Sequence, residues 1–357
     1  MALSLGQKPL TERVNREMTL TEMLTTARSS KAWYFDANGV FQEAANDVAR
    51  IDYDPATGEG MGLMAEGPST NLALHSEDLS NAVWNRTGAT IGTAISFAAN
   101  ISLDNLVEMT NPGNHRIAQA ATVTSGAVAS FSVLLKAKQR TKAEVWLADE
   151  ANAADSVRLE VDLSAGTIGL VTEAGTAASG GASVRPLGGG VYRVTLTGSV
   201  PGSTSYLARV FVADDTGSTA YTGDGTSGIY VGAVQLEELP LASSYIPTGA
   251  SQVTRAAESH EIASLDPWYR AAGYAVEVEA LFSGFSEPTA VLALLSDGTS
   301  DERVLVFTQN GNNAKTIVTS GGTSVASFVF PAALAEFTTA RWAALIQSRN
   351  FALSDDW

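Results

Sequence analysis

The chain has no cysteine among its 357 residues. Disulfides and thiolate chemistry are therefore excluded, and a zinc site would have to be built from histidine and carboxylate alone. Histidine is nearly absent too. His75, His115 and His260 are far apart and show no metal-ligand spacing. No apolar run approaches the roughly 20 residues of a membrane-spanning helix, and the N-terminal MALSLGQKPL has no apolar core of a secretory leader. Phosphate loops are missing, because Gly188-Gly189-Gly190 precedes a strand pattern and not a helix. No G-x-S-x-G nucleophile elbow occurs. Basic charge is scarce: 22 Lys and Arg against 38 Asp and Glu leave a net charge of −16. That balance argues against nucleic acid, which needs clustered cations to neutralise phosphate. The acidity is uneven, since residues 1–50 hold six basic and six acidic side chains and all the excess lies beyond Arg50.

What the chain does have is the raw material of β-sheets. It is 45% hydrophobic and only 17% charged, with 32 glycines, the profile of an ordered globular protein. Six segments alternate apolar and polar residues: Ala129–Lys136, Ala143–Leu147, Val157–Asp162, Val191–Thr197, Ser205–Ala213 and Ile229–Glu237. Short alternating segments separated by Gly, Ser, Thr, Asn and Asp predict an antiparallel sandwich or jelly roll. Upstream, Asp36-Ala37-Asn38-Gly39 predicts a hairpin turn between Trp33-Tyr34-Phe35 and Val40-Phe41. Asp54-Pro55-Ala56-Thr57-Gly58 predicts another turn. A second strand series covers Tyr274–Phe282, Ala290–Leu295, Arg303–Thr308, Ser324–Phe330 and Arg341–Gln347, with one more strand at 350–353. About ninety residues of sheet would leave an open edge, so the expectation is that the C-terminal part of this second domain is missing from the polypeptide or completed by neighbouring copies. One helix is predicted. Thr19 and Glu22 have capping-box spacing, and Leu20, Met23, Leu24 and Ala27 share one helical face.

The expected class is mainly β: an antiparallel β-sandwich or jelly-roll domain, then a second, partial jelly-roll-like segment, with a short N-terminal helix. The expected divisions are residues 1–30 (helix-bearing N-terminal segment), 31–70 (small β and turn region), 71–247 (jelly roll) and 248–357 (linker and partial β-domain).

Residues that could carry chemistry are few. Sugar recognition uses aromatic faces against C–H faces, with polar groups fixing orientation. Trp146 in a strand, and Tyr206 and Tyr230 on alternating strands, are the aromatic candidates. Lys136-Lys138-Arg140-Lys142 is the one basic run; if the strand continues past Lys136, alternate spacing places all four on one side. It fits either a contact to anionic polysaccharide, with Lys136 and Lys138 as candidates, or a charged strand edge. The pair Asp214-Asp215 after a strand and Asp224 in Gly223-Asp224-Gly225 fit either a structural calcium ion or plain Asp turns. No other cofactor is implied. Glycoside hydrolysis needs only two carboxylates, and no spacing singles out a pair; Glu277 and Glu279 share a strand face.

Several motifs carry a resemblance. GLMAEGPSTNLALHSEDLSNAVW (Gly62 to Trp84) and GAVQLEELPLASSYIPTGASQVTRAA (Gly232 to Ala257) join Tyr34–Gly39 and Ala49–Gly58 in one series. Together they resemble phage tail-fibre and head-spike receptor-binding proteins with carbohydrate-binding-module-like jelly rolls. The region after 261 resembles the first half of a concanavalin A-like lectin domain. Against the family pattern, Pro68-Ser69 replaces an Arg-bearing pair, Ala233-Val234 adds a residue before Gln235, and Ser243 replaces Thr. The resemblance implies a non-enzymatic fibre or spike on a phage or phage-like particle, on head or tail. It would be synthesised in the host cytoplasm without a signal peptide. It would be held to other virion proteins through Leu20, Met23, Leu24 and Ala27, and would bind host surface polysaccharide as a homo-oligomer, a trimer being favoured. Nucleic acid and membrane insertion are not expected. The alternatives from other classes are a purely structural connector or decoration protein, and a polysaccharide depolymerase.

Overall fold

The structure is a computed structural model that describes residues 2–4, 24–98 and 101–262, together with the strands between 273 and 354. By contacts the chain divides into two compact units: residues 27–60 with 66–258, and residues 1–26, 61–65 and 259–357.

The larger unit is built on thirteen strands: β1 (Asn85–Thr87), β2 (Ala89–Ala98), β3 (Ile101–Glu108), β4 (Pro112–Thr122), β5 (Ala129–Ala137), β6 (Lys142–Asp149), β7 (Ser156–Asp162), β8 (Thr167–Ala174), β9 (Ala178–Pro186), β10 (Val191–Ser199), β11 (Ser205–Ala213), β12 (Ala220–Thr222) and β13 (Gly228–Glu237). They form two antiparallel sheets. The first runs β9-β10-β5-β13-β3-β2; the second runs β8-β7-β6-β11-β4-β12, with β1 also paired to β4. Among the eight strands β3, β4, β5, β6, β7, β10, β11 and β13, the first sheet's central order is first, eighth, third, sixth. The second sheet's is second, seventh, fourth, fifth. This interleaving of two Greek keys is a jelly roll.

The core between the sheets follows from the period-two pattern. Phe131, Val133 and Leu135 of β5 meet Val145 and Leu147 of β6, Val157 and Leu159 of β7, and Val210 and Val212 of β11 in one buried cluster. Each such side chain contributes about 1.5–3 kcal/mol by leaving water. Trp84 closes one end of it, buried and donating from Nε1 to the His75 carbonyl at 3.1 Å.

The first sheet has a second core on its outer side. The strands Ala32–Phe35 and Phe41–Ala44 form the expected hairpin, closed by Asp36 N to Val40 O at 3.0 Å, with Gly39 in the left-handed region at φ 70°. Phe41, with Trp33 stacked on it at 4.9 Å, packs with Leu134, Ile101, Leu103, Val191 and Tyr245. Leu134 projects from β5 opposite to Val133 and Leu135, so β5 is buried on both faces.

The segments that carry the family resemblance form the polar seam beneath this hairpin. Arg50 donates to both oxygens of Glu258, to Glu66 at 2.8 Å, to Ser244 Oγ at 2.9 Å and to the Trp33 carbonyl at 2.8 Å. Arg28 donates to the same Glu258 and to the carbonyls of Ala45 and Val48. Asn71 receives Leu236 N and donates to the carbonyls of Val234 and Ile246; Glu237 receives Ser69, Gln235 and Ser243. Val253–Arg255 pairs with Ser69–Asn71. The added residue before Gln235 is a β-bulge. Ser132 faces Gln235 and Leu134 faces Gly232, so Val133 alone opposes Ala233 and Val234, and Ala233 takes φ 46°.

The smaller unit holds two four-stranded antiparallel sheets. One runs Ala2–Ser4, Gly273–Leu281, Thr339–Gln347, Asn350–Ser354; the other is a meander of Val291–Ser296, Arg303–Gln309, Asn313–Ser320 and Thr323–Ala333. Asn313–Ser320, between two expected strands, adds to the predicted series. Most of the expected N-terminal helix, including Leu20 and Met23, lies outside the described residues. At its end, Leu24 has no regular structure and Ala27 sits in a short strand, Thr25–Ala27. There Thr26 is buried, with Oγ1 bonded to His260 Nδ1 at 3.0 Å. Two consecutive β-branched residues favour that strand over a last helical turn.

Candidate functional site

Among the described residues, no hairpin covers the outer face of the second sheet. Its side chains come from the parity opposite to the core: Glu144 and Trp146 on β6, Arg158 and Glu160 on β7, Arg209 and Phe211 on β11, and Arg116 on β4. The register fixes them into a grid. Trp146 lies opposite Arg158 on one side and Arg209 on the other; Glu144 lies opposite Glu160 and Phe211, and Phe211 opposite Arg116. Directly opposed residues have Cβ atoms about 4.5–5.5 Å apart, so the grid is one contact network.

Its centre is aromatic. The Trp146 and Phe211 rings pack at 4.3 Å, which leaves Phe211 fully buried although it points away from the core. The Arg158 guanidinium lies 4.0 Å from the Trp146 ring centroid and Arg209 5.8 Å; Arg116 lies 5.9 Å from Phe211. Arg158 is oriented by Nε to Ser156 Oγ at 2.9 Å, and Trp146 Nε1 donates to Glu144 at 2.5 Å. A shallow cavity of about 280 Å³ adjoins the indole, lined by Glu144, Trp146, Arg158, Glu160, Leu170, Thr172 and Thr219.

The electrostatics are unusual for so acidic a chain. Burial, followed by repulsion from Arg116 and Arg158, pushes Arg209 down to about 10. Desolvation lowers Arg116 as well. Burial raises the Glu144 carboxyl, with Glu160 adding to the effect against the Trp146 hydrogen bond and Arg158. One guanidinium group, two carboxylates, an indole and threonine hydroxyls line the hollow, with Arg209 and Arg116 on the neighbouring strands, a surface suited to a polar, hydroxyl-rich ligand.

Of the residues expected to bind sugar, only Trp146 lies here. Tyr206 points inward and is fully buried; its hydroxyl donates to the Ala127 carbonyl at 2.6 Å and accepts from Val200 N at 2.9 Å. It is a core residue with no face for a ligand. Its parity with Ala208, Val210 and Val212, and against Arg209, is the signal that places it inward. Tyr230 and Lys136 pair across β13 and β5 in the first sheet, where Tyr230 packs against the second core and Lys138 Nζ sits 5.9 Å over its ring. The basic run is not one side of a strand. β5 ends at Ala137, Lys138 N bonds Arg140 O in a turn, and Lys142 opens β6 in the other sheet.

The acidic residues also have other occupations. Asp214 caps its own turn through Thr216 and Ser218, and Asp224 caps its own through Thr226 and Ser227. Arg140 lies 3.9 Å from both Asp215 and Asp224 and donates two hydrogen bonds to Glu108. Among the described residues no group of three His, Asp or Glu side chains could hold a metal ion. Of the residues expected for calcium, Asp214 and Asp224 cap their own turns, while Asp215 and Asp224 face Arg140. Also among the described residues, no helix is long and apolar enough to cross a membrane.

Sequence reading missed Arg116, Arg158, Arg209, Phe211, Glu144 and Glu160. The one available signal was Arg209, a cation in the middle of the apolar run SYLARVFVA. Compared with known proteins, the chain matches no family model and no curated protein.

Proposed function

We propose that this protein is a non-enzymatic glycan-binding protein whose ligand lies on the outer face of the second jelly-roll sheet. One observation carries this reading: that face is uncovered by any described residue, yet it holds a built array of indole, guanidinium, carboxylate and hydroxyl groups beside a cavity. A merely solvated face has no need to bury an arginine. The biological setting, a fibre or spike of a phage or phage-like particle adhering to host polysaccharide, rests on the motif series. Homo-oligomerisation fits that setting, because several weak sugar sites gain avidity together.

The test is binding of purified protein to a glycan array and to host cells, comparing wild type with Trp146→Ala. Loss of binding in a folded variant is the expected result. Equal binding by both proteins, or none by the wild type on any surface polysaccharide, overturns the reading. Under a connector role, the same substitution would disturb particle assembly and leave adsorption intact.

A specific observation keeps a depolymerase as the second reading: Glu144, with its carboxyl raised, faces Glu160 in the cavity. Glycosidases set two carboxyls on either side of the scissile bond. Here both rise from neighbouring strands of the same sheet face, which suits holding a chain better than flanking a bond. Release of new reducing ends from capsule, abolished by Glu144→Gln, would reverse that judgement.

A further inference from the structure

Elsewhere in the larger unit the buried arginines each have a hydrogen-bonded or charged partner, although Nε and Nη2 of Arg255, which reaches the Gly67 carbonyl and Glu66 through Nη1, are also unpartnered. Arg28 and Arg50 rest on Glu258, Arg140 on Glu108, and Arg193 on Ser132 Oγ and the Ser243 carbonyl. The open face breaks this pattern. Arg209 is only 8% exposed, its Nε is buried without a hydrogen-bond partner, and its described contact is to the Trp146 ring. Arg116, one strand over, meets Phe211 in the same way. Among the described residues neither forms an ion pair. Glu144, diagonal to Arg209 in the register, is held by Trp146 Nε1. Two guanidinium groups are therefore kept partly dehydrated, side by side and uncompensated, in a protein with sixteen negative charges in excess.

Such a pair is complementary to one kind of ligand group. A guanidinium fork matches the two oxygens of a carboxylate, and the charge-assisted bonds strengthen where water is excluded. The adjoining cavity offers what a neighbouring neutral sugar needs: the free Glu160 carboxylate to accept from hydroxyls, and Thr172 to donate or accept. We propose that the ligand is an acidic polysaccharide, with a uronic- or sialic-type carboxylate seated on Arg209 and Arg116 and adjacent hydroxyls on the Glu160 side of Trp146. This rests on the reading of the open face as the glycan site.

The experiment is calorimetric titration of the full chain with polygalacturonate, alginate, hyaluronan and polysialic acid. Each polymer is paired with its carboxyl-reduced counterpart, and dextran sulfate serves as a sulfate control. At least one carboxylated polymer should bind, at least tenfold more tightly than its reduced form and than dextran sulfate. Arg209→Gln should weaken that binding at least tenfold without lowering the unfolding midpoint, because relief of a buried charge with no ion pair offsets the lost contact to the Trp146 ring. Arg116→Gln, at a half-buried site, provides the same readout if Arg209→Gln does not fold. Trp146-dependent binding that is equal for charged and reduced polymers overturns the acidic ligand and leaves the site standing. Equal binding of dextran sulfate, or binding unaffected by both arginine variants, also overturns it. No Trp146-dependent binding to any polymer overturns site and ligand together.

Discussion

The two sheets of the jelly roll use the same alternating strand and finish with opposite outer faces. In β5 the outward positions Ser130, Ser132 and Leu134 are buried as fully as the inward ones, because the Phe41 hairpin and the Tyr245 segment lie over them. In β6 the outward positions Lys142, Glu144 and Trp146 stay half-exposed while Ala143, Val145 and Leu147 are buried. A covered face asks of its residues apolar packing and complete hydrogen bonding. An open face asks only solubility. The second sheet's face exceeds that demand, and the excess is what the proposed glycan site rests on.

The contrast can be broken from the covered side first. Arg50→Met leaves Glu258 and Glu66 buried with fewer partners. It should cost about 3–5 kcal/mol in denaturant unfolding, the usual penalty for halving a buried ion pair. A change under about 1 kcal/mol would mean the seam does not hold the hairpin to the sheet. Phe41→Ala removes the ring at the centre of the second core and should cost about 3–4 kcal/mol. Its open-face counterpart, Trp146→Ala, at a half-exposed position, should cost less than Phe41→Ala while abolishing ligand binding. Similar losses in both would erase the distinction between covered and open faces.

Acid should act on the covered side as well. Burial opposes ionisation of Glu66, but Arg255, Arg50 and Ser244 prevail and hold its carboxyl at about 2, against an ordinary value of 4.5. A depressed carboxylate stabilises the fold above its unfolded value. That contribution, of order 2–3 kcal/mol, is lost as pH falls from about 4.5 to about 2. Unfolding midpoints measured across that window should drop in wild type and drop less in Glu66→Gln. The smallest effect is expected at Lys138→Ala, where one exposed contact to the Tyr230 ring is removed. A stability change below about 0.5 kcal/mol is predicted, with no change in binding.

Much of the architecture was legible before the fold. Ser205–Ala213 was bounded to the residue, and five other jelly-roll strands to within one or two, because each packs one apolar face on a core and so shows alternation. Ala89–Ala98, Ile101–Glu108 and Pro112–Thr122 are absent from the predicted strands, as are Thr167–Ala174 and Ala178–Pro186. The last two are the clearest case. They lie at or near the sheet edges, mostly exposed, and are rich in Gly, Ser and Thr, so nothing forces an alternating pattern. The site was legible in one residue, Trp146. Arg158, Arg209, Arg116 and Glu160 come from strands separated by up to a hundred positions, and no local spacing links them.

By itself the sequence determined the period of the strands, the hairpin at Asp36–Gly39, and the parity that sends Tyr206 inward and Trp146 outward. These depend on neighbours within a few residues and on the two-residue repeat of a pleated strand. Only the tertiary structure decided which outer face is covered. It made the motif residues Arg50, Asn71, Gln235 and Glu258 into a seam instead of a binding site, and it set two arginines without ion pairs against the packed Trp146 and Phe211 rings. Those outcomes depend on strand order and register, which follow from the whole sandwich closing at once.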